Sequence, residues 1–150
     1  LEQKDKELIF TIFSNKKALV VDDCQSWLDI LSNLINSFGL EVDTANSGEN
    51  AIELLKQNKE KYDLIIADEM GYISFDKEGS ELLFTNLSLR AGRKSIIITT
   101  NLSFERWDEI FKDPVITAAM IDRLTHKAYI VNMNGNSYRF KETEEWLKSH

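Results

Sequence analysis

Cysteine, proline, glycine and histidine are all scarce, with one Cys, one Pro, six Gly and two His in 150 residues. A lone cysteine, Cys24, excludes an internal disulfide, and the expected setting is reducing and cytoplasmic. His126 and His150 have no partners at metal-ligand spacing and read as surface residues. No Pro/Gly linker, low-complexity tract or internal repeat divides the chain. There is no basic excess either. Lys and Arg total 18 against 25 Asp and Glu, a net charge of −7. Direct nucleic-acid binding is therefore not expected, because little cationic charge is available to neutralise phosphates. No apolar run approaches the ~18 residues of a membrane span, so no membrane partner is expected. The opening LEQKDKELIF is too charged for a secretion signal. Its lack of a starting Met leads us to expect a fragment or a trimmed chain.

What is present is regular alternation. The length suggests one α/β domain, 1–150, with a real core. Leu8, Ile9, Ile12 and Phe13 give a short amphipathic helix. ALVV (18–21) is a buried-strand run ending in Asp22-Asp23. Trp27, Leu28, Leu31, Leu34, Ile35 and Phe38 form one helical stripe, closed by Gly39. LEVDTA (40–45) alternates as a strand. Ser47 caps a helix carrying Ala51, Ile52, Leu54 and Leu55. DLIIA (63–67) is a strand and 78–90 a helix. SIIITT (95–100) is a strand, and 104–111 and 115–124 are helices around Pro114. AYIVNM (128–133) is a fifth strand, Asn134-Gly135 a hairpin turn, and KETEEWLKSH a final solvated helix with Trp146 docked. Strands alternating with helices predict a three-layer sandwich around a mostly parallel five-stranded sheet. Trp107 and Phe111, with Phe104 and Ile110, make a stripe better suited to core packing than to a ligand.

In such sheets ligands sit beyond the carboxyl ends of the strands. Asp22, Asp23, Asp68, Glu69, Thr99, Thr100, Asn101 and Asn132 lie at those ends. Converging carboxylates repel and favour a cation. Hard oxygen donors suit Mg²⁺, which keeps several waters. A carboxylate beside that ion could accept a phosphoryl group, and a hydroxyl from Thr99 or Thr100 could bond its oxygens. Strand-end acids also serve as solvated helix caps, and both roles stay open.

Residues 17–68, KALVVDDCQSWLDILSNLINSFGLEVDTANSGENAIELLKQNKEKYDLIIAD, resemble the first half of a response-regulator receiver domain. The resemblance implies Asp22 and Asp23 as metal-site acids, Asp68 as phosphoacceptor, and the Met70 carbonyl as a further Mg²⁺ ligand. It also implies strand order 2-1-3-4-5 and a sensor histidine kinase as partner. The back half departs from that pattern. The loop EMGYISFDKEG replaces the usual Met-Pro and Asp-Gly signals, and Asn132 stands where a receiver has Lys at the end of its last strand. Lys127 begins that strand.

Residues 64–149 resemble IstB/DnaC-like AAA+ ATPases, helpers of transposition and helicase loading. The carriers are DEMGYISFDKEGSELLF and SIIITTNLSFERWDEIFKDPVITAAMIDRLTHKAYIVNMNGNSYRFKE. That resemblance implies Asp68 and Glu69 as Walker B acids, Asn101 as a polar sensor, Arg123 as an arginine finger and Arg139 as a second nucleotide sensor. It also implies a different strand order, with the first strand between the third and fourth; the receiver order is the one expected, because the front half fixes 2-1-3 and right-handed crossovers place strands four and five beyond strand three. No G-x-x-x-x-G-K-[ST] loop is present to wrap phosphates. The strand preceding its place ends in VDDCQS, whose charge repels a triphosphate, so no nucleotide cofactor is expected.

The chain therefore reads as a receiver-like half, 1–68, joined to an IstB-like half, 69–150, near 66–71. The leading expectation is a hybrid or degraded phosphoacceptor module of a two-component phosphorelay, with weak Mg²⁺ binding and at most self-phosphorylation on Asp68. The alternatives are a non-catalytic ATPase-family fragment and an engineered chimera without native function. Homodimer formation is left open.

Overall fold

The computed structural model describes residues 3–57, 61–70, 77–90, 92–133 and 146–147. Helix α1 (Gln3–Phe13) leads into strand β1 (Lys17–Val21) and helix α2 (Gln25–Ser37). Strand β2 (Glu41–Ala45), helix α3 (Gly48–Gln57) and strand β3 (Leu64–Ala67) follow. Helix α4 (Lys77–Arg90), strand β4 (Ser95–Ile98), a 3₁₀ turn (Phe104–Arg106), helix α5 (Asp108–Phe111) and helix α6 (Pro114–Thr125) complete the described elements.

The described strands form one parallel sheet in the order β2-β1-β3-β4. That is the receiver order, since β3 pairs directly with β4 and no strand lies between them. The apolar runs make this sheet because successive residues face opposite sides. Leu19, Val21 and Ile65 pack towards α3, while Ala18 and Val20 pack towards α2 with Leu28 and Ile35. A further cluster joins Ile52, Met70 and Leu87 to Trp107, Ile110, Phe111 and Met120 beneath α4 and α6. Helix α2 thus covers one face, and α3 and α4 the other, with α6 packed on α4.

Local signals account for the helix boundaries. Ser47 Oγ accepts the Asn50 N–H at 3.2 Å at the start of α3. Asp113 Oδ1 accepts from Val115 and Ile116 at 2.9 and 3.1 Å, and Pro114 opens α6 where no N–H is needed. After α2, Gly39 takes φ +95°, and a Cβ there would come within 3.0 Å of the Phe10 ring. Both constraints demand glycine.

Three expectations are corrected. Residues 128–133 join no strand of the described sheet; Tyr129, Ile130, Val131 and Met133 are exposed, so among the described residues the sheet has four strands where five were expected. One reason is the seating of α6, which packs on α4 and α5 rather than squarely beside β4. Trp27 and Leu34 are exposed, because only the narrower stripe through Leu28 and Ile35 reaches the sheet fully. Trp146 is 59% exposed, more open to solvent than expected. The expected Asn134-Gly135 turn, Arg139 and His150 lie outside the described residues, as does most of the final helix.

Candidate functional site

The strand registers define the site. Val21 pairs with Ala67, and Ala67 with Ile98. One step further along each strand, the same line passes through Asp22, Asp68 and Thr99. Backbone bonds carry the ladder to that level: Asp68 N–H donates to Val21 O at 2.9 Å, and Thr99 N–H to Ala67 O at 3.0 Å. The three side chains meet at the carboxyl edge of the sheet. Thr99 Oγ1 donates to Asp68 Oδ1, and the Asp22 and Asp68 carboxyls are within hydrogen-bonding reach of each other.

Asp22 is buried, whereas Asp68 is half-buried. Burial raises the Asp22 carboxyl above its ordinary value; the Cys24 N–H, donating to Oδ1 at 2.7 Å, works in the opposite sense, and Asp68 and Asp23 add to the rise. The two carboxyls thus face each other at the sheet edge, with Asp68 the more open to solvent.

The seam after Asp68 is held in an uncommon conformation. Glu69 adopts left-handed backbone, φ 48°, although it is not glycine. That turn lets its N–H donate to Thr99 Oγ1 at 2.9 Å and the Met70 N–H to Thr99 O at 3.0 Å. Thr99 is thereby fixed by two backbone groups while its hydroxyl proton faces Asp68. Nothing in the sequence signals this backbone role of Glu69.

The other expected residues lie apart. Asp23 is exposed beside Asp22. Thr100 Oγ1 accepts the Leu102 N–H at 3.1 Å and shapes the following turn. Asn101 is exposed in that turn. Met70 is buried in the core, its backbone tied to the end of β4. Arg123 lies over the Phe84 ring at 4.9 Å, on α6 against α4. Lys127 sits in a turn after α6 with φ 58°, and the exposed Asn132 is on no strand of the described sheet. Among the described residues, no group of three or more His, Cys, Asp or Glu side chains is arranged to hold a metal ion. Two neighbouring carboxylates are nevertheless donors of the kind that could hold Mg²⁺, which one or two carboxylates and several waters commonly hold.

A parallel sheet ordered 2-1-3-4, with two aspartates and a threonine at its carboxyl edge, defines a receiver-type α/β module. A CheY-like receiver domain of Methanospirillum hungatei JF-1 superposes with a TM-score of 0.50 at 25% identity, covering 91% of this chain and 96% of that one. A two-component response regulator of Arabidopsis thaliana is 44% identical over 52 residues, 35% of this chain and 9% of that protein. By family, however, the chain belongs to the IstB-like ATP-binding proteins, whose profile matches residues 4–145. A Bacillus thuringiensis subsp. berliner protein, named for ATP binding in insertion sequence IS232, is 42% identical over 94 residues. The match covers 63% of this chain and 38% of that relative, so the chain spans well under half of the relative's length. Both resemblances carried by the sequence are thus present in one chain. Among the described residues, no helix is long and apolar enough to cross a membrane.

Proposed function

We propose that this chain is a hybrid receiver-like module that accepts a phosphoryl group on Asp68. The observation that carries the reading is the line Asp22–Asp68–Thr99 across three adjacent strand ends. In the proposed step, an Asp68 carboxylate oxygen attacks the phosphorus of a donor. A new O–P bond forms as the bond from phosphorus to the leaving group breaks, and the leaving group keeps the electron pair. Asp22 and Asp68, with Asp23 at the rim, would hold Mg²⁺, which when bound offsets charge on the carboxylates and on the incoming phosphoryl oxygens. Thr99 would turn its hydroxyl from Asp68 towards the new oxygens. A sensor histidine kinase in the cytoplasm is the proposed physiological donor.

Incubation with acetyl phosphate and Mg²⁺, followed by intact-mass analysis, tests the reading. One phosphoryl adduct is expected on the unaltered chain and none on Asp68→Asn. Absence of an adduct, or an equal adduct on the variant, would overturn it.

The family membership favours a second reading, a non-catalytic piece of an insertion-sequence protein that works through partners. Relatives are named for ATP binding. We expect none here, because the chain lacks the phosphate-wrapping loop and carries Asp22 and Asp23 after β1 instead. Saturable ATP binding in calorimetry would refute that expectation, and binding to a helicase or transposase would favour the second reading.

A further inference from the structure

We infer that the β4 edge of the sheet receives residues 128–133 of a second copy of this chain, giving a reciprocal strand-exchanged dimer. Among the described strands, β4 pairs only with β3, which leaves its other edge open. SIIITT (95–100) contains no charge and no proline, the devices that normally protect an edge from pairing. Ile97 is 50% exposed on the α2 side of the sheet, since α2 packs over β1 and β2 and leaves this flank uncovered.

The complementary element lies elsewhere in the same chain. AYIVNM is equally free of charge and proline and has strand composition. It follows α6 through a turn closed by the Ala128 N–H donating to Thr125 O at 3.2 Å. Tyr129 is fully exposed and Ile130, Val131 and Met133 are 63–88% exposed. A right-handed return onto β4 within one chain needs its crossover helix seated beside that strand. Helix α6 instead packs on α4 and α5, and the segment runs into solvent. A second copy escapes this connection constraint while supplying the same sequence. Each Tyr129 can bury ~150–250 Å². With Ile130, Val131 and Met133 from each copy, two junctions related by a twofold axis reach the ~1,000 Å² that a specific interface needs. The nearest charge on the β4 side, Lys94, already lies 3.8 Å from Asp63 and adds little repulsion to a neighbouring Lys127.

Analytical ultracentrifugation over a concentration series tests the inference. The unaltered chain should pass from one to two chain masses. Ile97→Lys, which damages the edge, and Val131→Pro, which damages the segment, should each stay at one. An equimolar mixture of the two variants should regain a weaker dimer at the highest concentrations, because one of the two junctions joins an intact edge to an intact segment. Far-UV circular dichroism checks that each variant is folded. If either is not, hydrogen exchange on the unaltered chain decides, with amide protection across 128–133 expected to rise with concentration. A monomer at every soluble concentration, a dimer indifferent to both substitutions, or protection independent of concentration would overturn the proposal.

Discussion

Asp43 offers the most quantitative test of the physical account. It lies in the middle of β2 and is gripped from two directions. Lys61 Nζ is 2.7 Å and the Tyr62 hydroxyl 2.7 Å from Oδ2, while Lys17 Nζ is 3.0 Å from Oδ1. Burial pushes the carboxyl up, but Lys61, Tyr62 and Lys17 outweigh it and lower the pKa from 3.8 to about 2. Taken in full at ~1.36 kcal/mol per unit, that shift is worth about 2.4 kcal/mol. The side chain retains 26% exposure, so screening by solvent reduces the expectation to about 1–2 kcal/mol. The folded-state pKa is the depressed one. The stabilisation is therefore complete well above the unfolded value near 3.8 and fades as pH falls towards 2, with about half lost by pH 3. Asp43→Asn preserves the shape and removes the charge. Urea unfolding should show the variant less stable by about 1–2 kcal/mol at neutral pH, with the gap roughly halved at pH 3. A gap that stays constant over that range would refute the charge argument and assign Asp43 a packing role.

Three further outcomes follow from the same geometry. Mg²⁺ at ten times its dissociation constant should stabilise the fold by ~1.4 kcal/mol, or ~3–6 °C in a thermal melt, and Asp22→Asn should abolish most of that rise; a melt indifferent to millimolar Mg²⁺ would count against the carboxylate pair as a cation site. Beryllofluoride with Mg²⁺ should move NMR resonances near Asp68 but only weakly across 99–104, since Lys127 and Asn132 lie off the sheet and a charge-assisted contact worth ~1.5–3 kcal/mol is missing; large concerted shifts there would show that another group supplies the coupling. Phe111→Ala, at a fully buried position packed against Trp107, should cost ~3–5 kcal/mol in urea unfolding, and a loss below ~1 kcal/mol would contradict the core assignment.

Much of the frame is determined by the sequence itself, because it is written in short-range patterns. Apolar runs at 18–21, 64–67 and 96–98 read as strands between helices, and a strand end is a local property that places Asp22, Asp68 and Thr99 at one edge of the sheet. The missing phosphate loop is local in the same way. The Trp107 and Phe111 stripe needed only helical spacing to be recognised as core, and both residues are buried.

Tertiary structure decided what depends on relations between strands. Either Thr99 or Thr100 could have faced the acid. The β3–β4 register places Thr99 level with Asp68, and the pleat turns the next side chain away, leaving Thr100 to cap a turn. The same register brings Asp22 against Asp68 while Asp23 faces solvent. The expected receiver order rested on the front half alone, because the back half implies a different sheet; direct pairing of β3 with β4 bears it out. The fifth strand shows the limit of composition most clearly. AYIVNM has every local property of a strand, but hydrogen-bonded pairing depends on where the preceding helix is seated, and α6 rests on α4 and α5.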